Sequence, residues 1–483
     1  MKGSRFCLNP GGGSGRWAFY AAALLALLTA GPAFSGPATP GASAAHMAAR
    51  IDPIVEASRR ELHLPGVSVA IMRGHDLVLA KGYGEADHAA GTPATDRTVY
   101  AIGSLSKQVT AAGIMRLHEQ GRLALDDPVS KYLPEYRPAP GPGPTIRNLL
   151  RQDAGLIAWD DLPQFEDLGT TEEPQRFELP RLAEAIARQP PQFAPGTWWS
   201  YSNSNYTLLA AVIERVSGRR HDEYLQEALF DRLGLRSMAG CGAPRAVAPA
   251  APRAPGYQDS RSYELRPVTP NKAKAFTGAG GLCANVVDLA AWMRALADGQ
   301  AVSAESFRQM TTPAPVTAGF TPPYGFGVSL LPLAGQRAVW HTGVLSGYTA
   351  IVAWLPEHDL VIAALTNARR AHLDQLVKDI VGDLLGLPAA PLKDLPIEPA
   401  LAARVAGEYD DRMFRFPIFR KGAELFVDVP PAGGPTRLLY QGGGEFATGR
   451  PTGFRFRFEP ETGDVERVVW EWTELRAYGR RVR

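Results

Sequence analysis

Three short motifs carry side chains able to do acyl-transfer chemistry: Ser104-Leu105-Ser106-Lys107, Tyr201-Ser202-Asn203 and His341-Thr342-Gly343. A serine and a lysine three residues apart share one face of a helix. Desolvation lowers a lysine pKa, so a buried Lys107 can be neutral and take the proton of the Ser104 hydroxyl. The helix N-terminus favours the negative charge that develops there. Tyr201 follows the loop Phe193-Ala194-Pro195-Gly196-Thr197, and as a tyrosinate it could relay that proton to a leaving group. The Asn203 amide could bind a substrate carbonyl or amide. His341-Thr342-Gly343 lies just before a strand beginning near Tyr348, where it could line the sheet edge beside Ser104. The backbone N–H groups of Val344 and Ser104 could then form an oxyanion hole.

Each motif also has a plain structural reading. Ser104 could be a helix cap with Lys107 on the surface, Tyr201 a core aromatic with Asn203 in a turn, and His341 an exposed turn residue. Each motif occurs once, and their joint presence in this order outweighs the separate readings. Other catalytic classes lack support. There is no Gly-x-Ser-x-Gly nucleophile elbow. The nine histidines are scattered with no His-x-x-x-His pair, so neither a metal nor a cofactor is expected. Lys+Arg 51 against Asp+Glu 49 gives a net charge of +2, which is no footprint for nucleic acid.

The elements that must position the motifs can be read from pattern. A helix is predicted from about Ala48 to Leu62. Strands are predicted at Gly66–Met72 and Leu77–Gly82, with a turn between them. Ser104 to Gln120 has helical periodicity and stops at Gly121. The middle of the chain, about 125–300, reads as helical and loop-rich. Strands follow at Tyr348–Leu355 and Leu360–Thr366, then a helix at about Leu373–Leu385. Strands, then helices, then strands imply an α+β fold with one antiparallel sheet built from both ends of the domain. A Pro-rich linker at 387–400 ends this domain. Beyond it, 401–483 shows short strands at 425–429, 437–440, 454–458 and 468–472, which suggest a small antiparallel barrel or sandwich.

The motifs and their surroundings resemble the serine β-lactamase and penicillin-binding-protein superfamily, whose class A members carry Ser-x-x-Lys, Ser-Asp-Asn and Lys-Thr-Gly. The Tyr-x-Asn form is similar to class C β-lactamases, D-Ala-D-Ala carboxypeptidases, D-aminopeptidases and related esterases. The resemblance covers about 48–386 and includes Gly121-Arg122-Leu123-Ala124-Leu125-Asp126-Asp127-Pro128-Val129, Thr145-Ile146-Arg147-Asn148-Leu149-Leu150 and Gly280-Gly281-Leu282-Cys283. It implies a β-lactamase-like domain, an antiparallel sheet flanked by helices with a mostly helical subdomain, followed by a lipocalin-like β domain. It implies Ser104 as acylated nucleophile and Lys107 and Tyr201 as base and acid. Asn203, His341, Thr342 and Gly343 would hold the substrate, with Ser104 and Val344 at the oxyanion.

Two departures matter. His341 stands where true β-lactamases carry lysine, and a histidine is mostly neutral at pH 7. This favours a hydrolase of D-amino-acid amides, peptides or small esters over a class C-like β-lactamase. Arg151-Gln152-Asp153-Ala154-Gly155-Leu156 replaces the His-Thr-Ser-Gly-Leu of many relatives. A non-catalytic peptidoglycan- or peptide-binding protein on the same scaffold is the third reading, and the intact Ser104, Lys107 and Tyr201 oppose it. The C-terminal β module reads as a packing or solubility module, with a lid or specificity element as the alternative.

The N-terminus reads as a signal peptide over 1–35. Lys2, Arg5 and Arg16 precede or open an apolar run from Trp17 to Ala30, and Ala33-Phe34-Ser35 offers a cleavage site. Such a run falls short of the ~20 residues that span a bilayer. Export to the periplasm or outside, with no membrane span in the mature chain, is therefore expected, with 36–47 as a linker. Two cysteines remain after cleavage, Cys241 and Cys283, and an oxidising compartment makes a disulfide the expected state over two separate buried thiols. The partner expected is a small-molecule or peptide substrate.

Overall fold

The computed structural model describes residues 42–136, 143–162, 179–242, 253–258, 265–268, 277–369, 371–388, 391–430, 433–449 and 453–482. The expected signal peptide lies outside them. No helix among the described residues is long and apolar enough to cross a membrane.

The main sheet is antiparallel. Its order is Thr92–Pro93, Asp76–Asp87, Gly66–Arg73, Leu360–Thr366, Tyr348–Leu355, Val339–Leu345. Strands from the two ends of the domain therefore lie side by side at its centre, with Val67 paired to Thr366 and Arg73 to Leu360. Both central strands are apolar almost throughout because helices cover both faces. Side chains alternate between faces along a strand. Val67, Val69 and Ile71 pack in one cluster with Ile51 and Val55 of the Ala42–Glu61 helix and with Val377 and Ile380 of the Leu373–Leu385 helix. Ala70 and Met72 belong to the opposite cluster, with Leu289, Trp292 and Met293 of the Val286–Ala297 helix.

The strands at Tyr348–Leu355 and Leu360–Thr366 and the helix at Leu373–Leu385 have the bounds read from sequence. The first helix begins at Ala42, so the end of the expected 36–47 linker is helical. His341-Thr342-Gly343 does not merely precede a strand. It lies inside one, Val339–Leu345, at the edge of the sheet.

Among the described residues, the C-terminal module is a closed barrel of eight antiparallel strands, from Gly407–Asp410 to Leu475–Arg481. Closure removes the exposed edges that an open sheet would present. Tyr409, Phe416, Phe446, Phe456, Phe458 and Trp470 fill the interior, which suits the width of an eight-stranded barrel. A second aromatic cluster joins the barrel to the catalytic domain. Phe320 stacks on Tyr478 with ring centroids 3.8 Å apart, and Trp198 and Trp199 pack with Val469 and Leu475 of the barrel. Gln192 Nε2 also donates to the Arg412 carbonyl at 2.8 Å.

Candidate active site

Ser104 sits in a short 3-10 turn, Gly103–Leu105, that leads into the Ser106–Glu119 helix. It is half-buried and so reachable, whereas Lys107 is fully buried on the same side. The turn lies hard against the Val339–Leu345 strand. A Cβ on Gly343 would stand 1.9 Å from the Ile102 carbonyl oxygen and 3.0 Å from the Ser104 nitrogen. A Cβ on Gly103, whose φ is +51°, would stand 2.8 Å from the Val344 nitrogen. Glycine at both positions lets the two backbones meet and brings the Ser104 and Val344 N–H groups together at the sheet edge.

Lys107 Nζ has three oxygen partners: Ser104 Oγ at 3.0 Å, Asn203 Oδ1 at 2.8 Å and the Ala279 carbonyl at 2.8 Å. A neutral amine has two N–H donors and one lone pair. Asn203 Oδ1 and the Ala279 carbonyl can only accept, so they take both donors. The lone pair is left for the Ser104 hydroxyl. Burial lowers the Lys107 pKa from 10.5 to about 7, opposed by the carboxylates of Asp160 and Glu474. Lys107 is thus available as a base near neutrality.

Tyr201 hydrogen-bonds Ser104. Its ring lies 4.8 Å from Lys107 Nζ. Burial holds its phenol well above the ordinary value; the Ser104 hydrogen bond lowers it, and Glu474 and Asp160 raise it further. Burial thus favours the neutral phenol over the tyrosinate considered from sequence, and a neutral Tyr201 can donate a proton before it accepts one.

Asn203 opens the Asn203–Ser217 helix behind the Ser202 cap. Its amide is committed at both ends, since Nδ2 donates to Asp160 Oδ2 at 2.8 Å while Oδ1 faces Lys107. One N–H remains for substrate. Asp160 is held there by its neighbour Trp159, whose backbone and indole donate to Ser204 and Thr207 of the same helix. Burial raises the Asp160 pKa, partly offset by the Asn203 hydrogen bond. The unusual Arg151–Leu156 segment also serves the site. Gln152, at φ +63°, accepts from the Ser202 backbone at 3.0 Å and from the Asn205 amide, so it fixes the Tyr201–Asn203 loop.

His341 is fully buried, so it is not the exposed turn residue of the plain structural reading. Nδ1 lies 2.6 Å from the Thr342 carbonyl, an acceptor, so Nδ1 carries the proton. Nε2 then accepts from the Tyr324 hydroxyl at 3.0 Å. Burial lowers its pKa, which keeps the ring neutral, with Glu474 acting in the opposite sense. The ring centroid is 6.1 Å from that of Tyr201. Thr342 and the backbone at Gly343 and Val344 are what the strand offers to a ligand.

Glu474 was invisible in the sequence. It forms the turn with Thr473 between barrel strands Arg467–Trp472 and Leu475–Arg481. Its Oε2 accepts from Thr342 Oγ1 at 2.6 Å, and Oε1 lies 3.4 Å from His341 Nδ1. The barrel is therefore more than a packing module: it places a carboxylate in the site. No spacing rule connects 342 with 474, and Asp160, in an ordinary Asp-Asp pair, carries no motif either. Cys241 and Cys283 form a disulfide, as expected. It joins the Ala239–Gly240 and Leu282–Ala284 strands, a few residues from the Ala279 carbonyl that holds Lys107.

A buried lysine on a serine, a phenol beside both, and a glycine-lined strand edge define the serine β-lactamase type of acyl-transfer site, and the comparisons with known proteins agree. The beta-lactamase family model matches residues 48–386, and the chain belongs to that family. It is 25% identical over 392 residues to a D-aminopeptidase of Gluconobacter oxydans, covering 81% of this chain and 70% of that protein. It is 33% identical over 208 residues to esterase EstB of Burkholderia gladioli, covering 41% of this chain and 52% of that one. The octameric penicillin-binding protein homologue from Pyrococcus abyssi superposes with a TM-score of 0.63 at 25% identity, over 89% of this chain and 99% of that one.

Proposed function

We propose that this chain is an exported serine hydrolase that cleaves amides or esters through an acyl-enzyme on Ser104, with D-amino-acid amides or peptides and small esters as substrates. The observation that carries the reading is the Lys107 amine, whose two donors are committed to carbonyl oxygens and whose lone pair faces Ser104 Oγ. The D-aminopeptidase and esterase relatives support the substrate class. The proton transfers balance over the cycle. Ser104 Oγ attacks the carbonyl carbon as its proton passes to Lys107 Nζ, and the Ser104 and Val344 N–H groups receive the oxyanion. Tyr201 donates its proton to the leaving nitrogen or oxygen and is reprotonated by Lys107. Water then attacks the acyl ester, its proton passes to the same groups, and one proton returns to Ser104. The Cys241–Cys283 disulfide supports an oxidising compartment.

A fluorophosphonate probe tests this reading. Ser104 should displace fluoride and gain the phosphonyl mass, and Ser104→Ala should gain none. An unlabelled wild type, or an equal adduct on Ser104→Ala, overturns it.

A further inference from the structure

A cleft of about 350 Å³ lies on the seam between the catalytic domain and the barrel. The catalytic domain contributes Phe193, Thr197, Trp198 and Thr317–Ala318 to it, and the barrel contributes Arg412 and Arg480. That volume suits a small organic molecule better than a lone ion. Among the described residues, none of Ser104, Lys107, Tyr201, Asn203, Thr342 and Glu474 lines it. Arg480 stands near the far end of the Leu475–Arg481 strand, about 20 Å along the chain from Glu474. Tyr478, stacked on Phe320, lies between the two.

The cleft carries positive charge that its surroundings do not match. Arg467 and Arg476, on neighbouring barrel strands, each have a glutamate partner, Glu459 and Glu471. Arg412 and Arg480 have no carboxylate within ion-pairing distance among the described residues. Asp410 pairs with Arg480 in the strand ladder, yet its Oδ1 accepts from the Arg412 backbone N–H at 2.9 Å. Arg480 lies instead over the Trp198 ring, 4.5 Å from its centroid. A guanidinium held over an aromatic face keeps the donors at its rim for a carboxylate.

Arg412 is fixed by its backbone. Its φ of +78° lies in the left-handed region, where glycine is the usual residue. Asp410 holds its N–H, and its carbonyl accepts from Gln192 Nε2 at 2.8 Å. Strain held from both sides in this way is characteristic of a functional position. Trp198 adds a further signal. It is only 5% exposed, and its buried indole N–H has no acceptor among the described residues. Buried donors of this kind are ordinarily satisfied.

We propose that this cleft is a second ligand site, separate from the serine site, that binds a small aromatic carboxylate. Arg412 and Arg480 hold the carboxylate, and Phe193, Trp198 and Ala318 receive the ring. The inference is independent of the acyl-enzyme reading above.

Isothermal titration of the whole chain with benzoate tests it. Wild type should bind benzoate, and should bind benzamide, acetate and inorganic phosphate more weakly. Arg480→Gln and Arg412→Gly should each weaken benzoate binding about tenfold or more. Glycine suits the backbone at 412, so that variant should fold, and melting curves check both. Absence of benzoate binding in the millimolar range overturns the proposal, as does unchanged affinity in either folded variant. Equal binding of benzamide would remove the role of the arginines, and equal binding of acetate or phosphate that of the apolar wall; either result also overturns it.

Discussion

Replacing Asp160 by asparagine should move the acid limb of the pH–rate profile downward. Asp160 reaches Lys107 through Asn203, with 2.8 Å on either side of the amide. Adding the width of the amide puts the carboxylate about 7 Å from the amine. At an effective dielectric of about 20, a charge pair at that distance is worth about 2 kcal/mol, or about 1.5 pKa units. Asp160 raises the Lys107 pKa, so its loss lets burial act less opposed and the pKa falls from about 7 toward ~5.5. Lys107 must be unprotonated to accept the Ser104 proton, so kcat/KM should rise with pH earlier in the variant. The new amide can still accept from Asn203 Nδ2, which keeps Asn203 Oδ1 facing Lys107. The other groups around Lys107, namely Tyr201, Tyr206, His341 and Glu474, are unchanged. The assay is hydrolysis of 4-nitrophenyl acetate, a neutral substrate, from pH 4.5 to 9; kcat/KM reports groups of the free enzyme. An acid limb that stays in place or moves upward refutes the assignment of Lys107 as the base.

Gly343→Ala should cost ~100-fold or more in kcat, because its Cβ would meet the Ile102 carbonyl at 1.9 Å and push the Ser104 turn out of line; a near-normal kcat would show that the turn need not touch the strand. Lys107→Met should alter how stability depends on pH. The folded pKa of Lys107 lies below its unfolded value, so between about 7 and 10.5 the unfolded chain binds more protons and this residue adds stability as pH rises. The stability of Lys107→Met relative to wild type should therefore decline by ~2–4 kcal/mol over that range, read from denaturant midpoints at each pH, and a constant difference would contradict a depressed Lys107 pKa.

Much of this architecture was legible because local pattern and tertiary role coincide. The Leu360–Thr366 strand is apolar on both faces and bounded by turn residues, so its limits could be read directly. Ser104 and Lys107 were legible because one helical turn fixes their relation. The edge strand holding His341 was not delimited from local pattern, although Trp340 and Thr342 favour strands, because the polar His341 and Gly343 interrupt the apolar run and pairing with Tyr348–Leu355 sets its bounds. The partners of the His341 ring, Tyr324 and Glu474, come from tertiary packing and could not be read from its own motif. Two barrel strands, Arg415–Lys421 and Leu475–Arg481, are rich in arginine and interrupted by proline or glycine, and only closure of the barrel accounts for them.

The two unheralded carboxylates also explain why the barrel and the base belong to one site. Burial alone would drive Lys107 further from its protonated form, and Asp160 and Glu474 draw it back to about 7. Asp160 comes from the catalytic domain and is fixed by hydrogen bonds to the Asn203–Ser217 helix. Glu474 comes from the barrel and is fixed by Thr342. By the same sign rule, losing either charge would lower the Lys107 pKa and make the neutral amine more abundant at neutral pH, so a carboxylate delivered by the barrel tip acts directly on the lysine of the catalytic domain.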